Sequence, residues 1–192
     1  MENKLFEFIA EYMPLLAEEK QAIMDLAIFR NYKKGTVLLK EGDLSKNSYF
    51  VIKGCLRSYY VIGGEEKTTV FYTKSESFPP LCVTNNKPSE HYVSCVEDSI
   101  ATVANPDMES VIFEKFPRFE TLCRILSAEL LANNQASFDG FKTSSPEQRY
   151  LNLLETRPDL SRRVPQHQLA SYLGIKPQSL SRIRKRLAMQ HK

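Results

Sequence analysis

The chain has 192 residues, 42% of them hydrophobic, which is enough for a packed core and excludes a wholly disordered protein. The formal net charge is only +3, but the charges are unevenly distributed. Residues 160–192 hold eight of the 26 lysines and arginines and none of the 23 acids, so the remainder is acidic. A basic segment on an acidic body predicts a module that binds a polyanion, joined to a second module of another kind.

Several classes of protein lack the motifs that their chemistry needs. The chain begins with an acidic, periodic segment, and no stretch approaches 18 consecutive apolar residues, so we expect a cytoplasmic protein without a membrane span. The cysteines are widely spaced and only three histidines occur, which predicts free thiols and no metal or iron–sulfur site. No P-loop, Gly-x-Ser-x-Gly or His-Glu-x-x-His motif is present, so we expect neither an enzyme nor a bound cofactor.

The first 106 residues pass from a helical pattern to a strand pattern. Apolar residues recur at helical spacing up to about residue 29, with a break at Pro14. From Arg30 to Pro106, short β-branched and aromatic runs alternate with glycines. Gly63–Gly64, between "RSYYVI" and "EEKTTVFY", indicates a hairpin because glycine readily adopts positive φ. Several short strands of this kind predict an antiparallel barrel or roll.

Residues 106–142 have a helical pattern again, as one short helix and one long helix. Residues at three- and four-residue steps form a stripe along the long helix that includes Leu122, Leu126, Leu130 and Asn133. The stripe has two interpretations: one face buried on the helix's own domain, or a seam between two subunits with Asn133 as the polar position that fixes register. We favour the seam, because a helix that bridges two domains has little else to bury against.

The segment "LASYLGIKPQSLSRIRKRL" (169–187) has the pattern of a helix-turn-helix motif. Ser145 and Pro146 open a preceding helix as its N-cap and first residue, after a short polar link. A first motif helix from about Pro165 buries Leu169, Ala170 and Leu173; Gly174 supplies a left-handed turn, and a second helix starts at Pro177. Leu180, Ile183 and Leu187 then face inward.

The opposite face of the second motif helix carries Gln178, Ser179, Arg182, Lys185 and Arg186. Arginine and glutamine can bind base edges in bidentate fashion, whereas serine and lysine suit phosphates. Lys176 stands where an N-capping Ser or Thr is expected, and a nearby phosphate would relieve its repulsion with the helix dipole. A solvated basic helix face is the alternative, which the absence of acids and the two apolar stripes make the weaker one.

The whole chain resembles the Crp/Fnr family of bacterial transcription regulators. The resemblance rests on "KKGTVLLKEGD" (33–43), "YFVIKGCLRSYY" (49–60) and the motif at 169–187, in the family's order. It implies an α+β fold: a cyclic-nucleotide-binding-type β-roll with flanking helices (1–116), a dimerisation helix (117–142) and a helix-turn-helix domain (143–192). It also implies a homodimer that binds double-stranded DNA, with Gln178, Ser179 and Arg182 on reading positions and Gln166 on a phosphate.

Three features depart from the family pattern. The loop at 75–95 lacks the Gly-Glu and Arg-Ser or Arg-Thr pairs that hold cyclic AMP, Pro79–Pro80 removes two donors, and Lys87 is its only cation, so we expect cyclic AMP not to bind. The first 54 residues have no cysteine to hold an oxygen-sensing cluster, and the chain ends five residues after Leu187, where a β-hairpin wing is often found.

The sequence therefore predicts a dimeric regulator of transcription whose effector is unknown or absent. A smaller or less charged effector would contact side chains of the roll, together with Lys87; these candidates are Tyr72, Cys82, Asn85 and Tyr92. The alternative from another class is a ligand-binding regulatory module whose C-terminal helices contact a protein partner rather than DNA.

Overall fold

The computed structural model describes residues 2–26 and 28–190, in which helices flank a group of antiparallel strands. The first part comprises α1 Glu2–Ala10, α2 Ala17–Leu26, β1 Ile28–Tyr32, β2 Val37–Leu39, β3 Ser48–Lys53, β4 Leu56–Ile62, β5 Glu65–Tyr72, β6 Ser77–Phe78, α3 Leu81–Asn85, β7 Tyr92–Cys95 and β8 Ser99–Ala104. The second part comprises α4 Pro106–Lys115, α5 Arg118–Thr143, α6 Pro146–Thr156, α7 Leu160–Arg163, α8 Gln166–Tyr172 and α9 Pro177–Gln190. None of these helices has the length and apolar character needed to cross a bilayer.

The strands form two four-stranded sheets within the described residues, which confirms the predicted antiparallel roll. The strand order is β1-β8-β3-β6 in one sheet and β2-β7-β4-β5 in the other. β8 pairs antiparallel with β1 and with β3, so that Val103 lies opposite both Ile28 and Tyr49. β4 and β5 are joined by Gly63–Gly64, both at positive φ (61° and 81°), as the hairpin prediction required.

Apolar side chains from both sheets pack into one core. Its buried members are Leu39, Tyr49, Val51, Leu56, Phe78, Cys82, Val93, Cys95 and Val103. All of them except Cys82, which lies in α3, come from short strands whose β-branched and aromatic residues suit a pleated surface. The roll is therefore filled by its own side chains around this core.

A second apolar cluster joins the N-terminal helices to α4 and α5. Its buried members are Ile9, Ala22, Phe116, Phe119 and Leu122, with Leu126 among the partly buried side chains against it. Glu19 is 1% exposed and accepts a hydrogen bond from the Leu16 N–H at 2.8 Å. It also forms an ion pair with Arg118, whose Nε lies 3.0 Å from Glu19 Oε1. This carboxylate caps α2 and fixes it to the start of α5.

The chain divides into two compact units. One contains the chain up to Arg57 together with Phe71–Leu131, and the other contains Ser58–Val70 together with the chain from Ala132 onward. The core of the second unit consists of buried residues from α6 to α9: Tyr150, Leu153, Leu160, Val164, Leu169, Ala170, Leu173, Leu180 and Ile183. Ser145 caps α6 as predicted, since its Oγ accepts a hydrogen bond from the Gln148 N–H at 3.2 Å.

Two short helices, α3 and α7, were not predicted from the sequence. They have five and four residues, too few to show a helical period. α3 ends at Asn86, which adopts a left-handed conformation (φ 53°) that asparagine tolerates better than most residues.

Candidate nucleic-acid interface and effector region

A tight glycine turn joins α8 to α9. The Ile175 N–H donates to the Ala170 carbonyl and the Gly174 N–H donates to the Ser171 carbonyl, both at 3.0 Å, which is the Schellman pattern at a helix C-terminus. Gly174 has φ +69°, so the predicted left-handed turn is confirmed. The turn fixes the direction in which α9 leaves α8.

The inward faces of the two motif helices are buried as predicted. Leu169, Ala170, Leu173, Leu180 and Ile183 are each at most 7% exposed, and Leu187 is half-buried. Their burial holds α8 and α9 together, so the residues on the other face of α9 are presented from a packed scaffold.

The outward face of α9 presents polar and cationic groups to solvent. Gln178, Arg182 and Lys185 are exposed, and Ser179 is half-buried. Glutamine and arginine one turn apart supply the two side-chain types that bind adenine and guanine edges in bidentate fashion. This face can therefore offer direct hydrogen bonds to bases, with Lys185 placed to contact a phosphate.

Lys176 and Gln166 lie at the starts of the two motif helices. The Lys176 carbonyl accepts hydrogen bonds from Ser179 N–H at 2.9 Å and Leu180 N–H at 3.2 Å, so Lys176 occupies the N-cap position of α9. Its side chain is exposed, as is that of Gln166. Both residues stand where the N-terminal dipole of a helix favours an anion.

Arg186 differs from the other predicted contacts because it already has a partner. Its guanidinium binds both carboxylate oxygens of Glu147 in α6, with Nε 3.2 Å from Oε1 and Nη2 on Oε2. The pair joins the C-terminal half of α9 to α6. The sequence did not indicate this pair, and a phosphate contact by Arg186 would require the guanidinium to be shared or released.

The five candidate effector residues differ in their exposure. Tyr72 stacks on Phe78 with ring centroids 3.8 Å apart, and Cys82 is 3% exposed in the core of the roll. Asn85 and Lys87 are exposed, with Asn85 Oδ1 accepting the Lys87 N–H at 3.0 Å. Tyr92 is half-buried. Cys82 therefore helps to fill the core and Tyr72 packs against it, whereas Asn85 and Lys87 lie on the surface.

Several ionisable side chains are buried in the roll, and their burial was not predicted from the sequence: Tyr49, Cys95, His91 and Arg57. Burial raises the pKa of Tyr49 to about 12 and that of Cys95 to about 11, so both stay protonated at neutral pH. Burial also lowers the pKa of His91, which favours its neutral form. Arg57, the second residue of β4, is 4% exposed. Its position within an apolar strand pattern was the signal that it is buried.

A shallow groove of about 280 Å³ lies on the surface of the roll. It is lined in part by Tyr32, Lys33, Lys53 and Asp98. Lys33 Nζ and Asp98 Oδ2 are 2.9 Å apart. The pKa of Asp98 is lowered mainly by the hydrogen bond from the Lys34 backbone N–H, and next by the hydrogen bond from the Lys33 side chain.

Within the described part of the chain, no group of three or more His, Cys, Asp or Glu side chains could hold a metal ion.

The stripe of α5 is covered by its own chain only in its first half. Leu122 is 5% exposed and Leu126 packs against the same helical cluster. Leu130 and Asn133 are exposed, as is every residue from 127 to 139. Leu131 and Phe138, which lay outside the predicted stripe, are the most exposed apolar side chains of this helix at 71% and 58%.

Comparisons with known proteins agree with this architecture. Residues 29–115 match the family model of the cyclic nucleotide-binding domain. FixK2 from Bradyrhizobium japonicum has a similar structure, with a TM-score of 0.71, 15% identity and 86% of each chain covered. The c-di-GMP-responsive global regulator CLP of Xanthomonas campestris has a TM-score of 0.70 and 15% identity, covering 92% of this chain and 93% of its own.

A third similar structure is the catabolite activator protein of Thermus thermophilus, with a TM-score of 0.56, 21% identity, and 94% of this chain and 87% of that chain covered. No curated protein matches the sequence. At these identities the likeness establishes the fold, a roll of the cyclic nucleotide-binding type followed by a long helix and C-terminal helices.

Proposed function

We propose that the protein is a homodimeric, DNA-binding regulator of transcription of the Crp/Fnr type. One observation carries the proposal: α8 and α9 follow each other across a glycine turn with their apolar faces buried, and α9 exposes Gln178, Arg182 and Lys185 on one face. In helix-turn-helix motifs the second helix enters the major groove and its N-terminal half reaches base edges. No acid occurs from Leu160 to the end of the chain, so this face meets phosphates without repulsion from its own segment.

In this proposal the dimer forms through α5. The exposed stretch from 127 to 139 carries Leu130, Leu131 and Phe138, and Leu131 and Phe138 are one heptad apart. Apolar side chains at such spacing on an exposed helix suit a second copy of the same helix. Leu122 and Leu126 then pack α5 against other helices of the same chain, while Leu130 and Asn133 remain exposed at the proposed seam.

The roll, as we propose it, does not bind cyclic AMP. Cys82 lies in the core with Tyr72 packed against it, and the loop at 75–95 has only Lys87 as a cation, at the surface. A lysine is a point charge and cannot form the two-pronged contact that an arginine gives a phosphate. The proposed domains are the roll (1–116), the linking helix (117–142) and the DNA-binding domain (143–192).

Salt-dependent binding to duplex DNA tests the proposal. The full chain is titrated against a fluorescent duplex of random sequence at about 50 mM and about 200 mM salt, and we expect affinity to fall by roughly 10³-fold or more if six or more phosphates are contacted. A matched titration with an unrelated acidic protein controls for unspecific attraction. Absence of DNA binding at the lower salt would favour the alternative, in which the C-terminal helices contact a protein partner.

A further inference from the structure

Ser171, in α8, binds the backbone of β5 through two hydrogen bonds. Its Oγ accepts one from the Thr68 N–H at 2.9 Å and donates one to the Glu66 carbonyl at 3.0 Å. β5 is the last strand of its sheet within the described residues, so it offers backbone donors and acceptors of this kind. Residues 58–70 and the chain from 132 onward belong to the same compact unit. We call these two hydrogen bonds the hairpin clasp.

The clasp joins α8, which precedes α9, to a strand that begins with two acidic residues. Glu65 and Glu66 begin β5 directly after the Gly63–Gly64 turn. A hydrogen bond from Lys67 is the main cause that lowers the pKa of Glu65, and the charge of Lys176 lowers it further. Lys176 is the N-cap residue of α9, at the end of the helix that a helix-turn-helix protein brings to DNA. A phosphate that approached Lys176 would therefore approach the Glu65 carboxylate as well.

Unpaired polar atoms make the clasp a closely balanced contact. Thr68 is 5% exposed, and its Oγ1 is buried without a hydrogen-bond partner among the described residues. Gln168 lies one turn before Ser171 on α8, and its Oε1 is likewise buried and unpartnered in that part of the chain. Burying an unpaired polar atom costs about as much free energy as one or two hydrogen bonds contribute. These unpaired atoms offset part of the free energy that the two hydrogen bonds of the clasp contribute.

We infer that the hairpin clasp is an autoinhibitory contact, in which the acidic end of the β4–β5 hairpin competes with DNA phosphates for the N-terminal end of α9. The inference rests on the proposed function, because it concerns regulation of the same DNA-binding face. Only molecules with an open clasp bind DNA, so the apparent dissociation constant exceeds the intrinsic one by the inverse of the open fraction.

The test compares Ser171→Ala with wild type in the full chain. The substitution removes both hydrogen bonds of the clasp and leaves a residue that favours helix. Two quantities are measured: hydrogen exchange at the Thr68 amide and affinity for a random-sequence duplex at about 50 mM salt. We expect faster exchange at Thr68 and DNA binding tighter by roughly 3- to 10-fold, the factor that one hydrogen bond or two provide.

Matched controls separate the clasp from general effects of these substitutions. Ser161→Ala removes a serine hydrogen bond to the Pro158 carbonyl in the same unit, and we expect it to leave DNA affinity unchanged. Glu65→Gln removes the charge beside Lys176, whereas Glu155→Gln removes an exposed charge from α6. We expect Glu65→Gln to tighten DNA binding more than Glu155→Gln, because a change in net charge alone affects both variants alike.

Faster exchange at Thr68 with unchanged or weaker DNA binding would refute autoinhibition and leave the proposed DNA-binding function intact. Unchanged exchange at Thr68 would show that the clasp does not form, and refutes the inference equally. Failure of the wild type and of every variant to bind DNA would refute the proposed function, and the inhibition with it.

Discussion

The ring of Phe141, near the end of α5, lies directly against the turn glycine Gly174. A Cβ placed on Gly174 would stand 2.8 Å from Phe141 Cζ, closer than real Cβ contacts allow. The guanidinium of Arg149 lies 4.3 Å from the centre of the same ring, and its Nη1 donates to the Phe141 carbonyl at 3.2 Å. Phe141 therefore connects the long helix to the turn between α8 and α9, inside one compact unit.

Replacing Gly174 with alanine should destabilise the protein. Alanine at φ +69° is strained, and its Cβ would force Phe141 to move, so we expect a loss of about 1–3 kcal/mol in the free energy of unfolding. Urea unfolding of both proteins measures the loss. Gly140→Ala is the control: it lies within α5 with no atom near its would-be Cβ, and should be neutral or stabilising by about 0.5–1 kcal/mol.

The Glu147–Arg186 pair should restrain DNA binding while adding little stability. The two side chains are 34% and 56% exposed, so we expect Glu147→Gln to change the free energy of unfolding by less than about 1 kcal/mol. The freed guanidinium should then strengthen DNA binding and steepen the salt dependence by about one phosphate contact per site. Weaker DNA binding by Glu147→Gln would mean that the pair positions α9 and that Arg186 is not a phosphate contact.

Arg182 and Lys185 should respond differently to truncation. Arg182→Ala removes a side chain assigned to a base edge, so we expect a loss of about 1–3 kcal/mol and relaxed base preference at one position per half-site. Lys185→Ala removes a phosphate contact, so binding should weaken for all sequences and the salt slope should fall by about 1 per site. Equal, uniform losses in the two variants would show that the reading face is assigned wrongly.

An acid in the exposed part of α5 should dissociate the proposed dimer. Leu131→Asp should remove the burial of one leucine, about 1.5–3 kcal/mol, and place a charge in the seam. Sedimentation of both proteins across micromolar concentrations measures the change. Val111→Asp, at an exposed aliphatic position of α4, is the matched control and should leave the dimer intact. A monomeric wild type at micromolar concentration would end the dimer proposal.

Cyclic AMP and cyclic GMP should not bind the roll tightly. Calorimetric titration of the full chain should give no dissociation constant below about 1 µM, which corresponds to about −8 kcal/mol. The reason is local: a phosphate needs paired donors, and the loop at 75–95 has no arginine and only Lys87 as a cation. Binding at or below that concentration would restore a nucleotide-sensing role for the roll.

Local chemistry explains which parts of the fold were predictable. Gly63–Gly64 and Gly174 determine their turns through their own backbone freedom, so neighbouring residues suffice to predict them. The burial of Leu169, Leu180 and Ile183 follows in the same way from helical spacing. The pair Glu147–Arg186 joins residues 39 positions apart, and no local pattern records such a contact.

The α5 stripe shows what spacing leaves open. Leu122, Leu126 and Leu130 have the same periodicity, yet the first is buried by its own chain and the last is exposed. Periodicity identifies a face of a helix but not the molecule that covers it. Residue type likewise did not reveal that Tyr72 would stack on Phe78 or that Cys82 would enter the core.

Selection of bound duplexes from a random pool by the full-length protein tests the central claim most directly. A dimer with one recognition helix per half-site predicts enrichment of a palindrome whose half-site centres are one helical turn apart, roughly 34 Å. Arg182→Ala should enrich the same spacing with one relaxed position in each half. Enrichment of a single non-repeated site, or of no sequence at all, would contradict a dimeric regulator that reads DNA through α9.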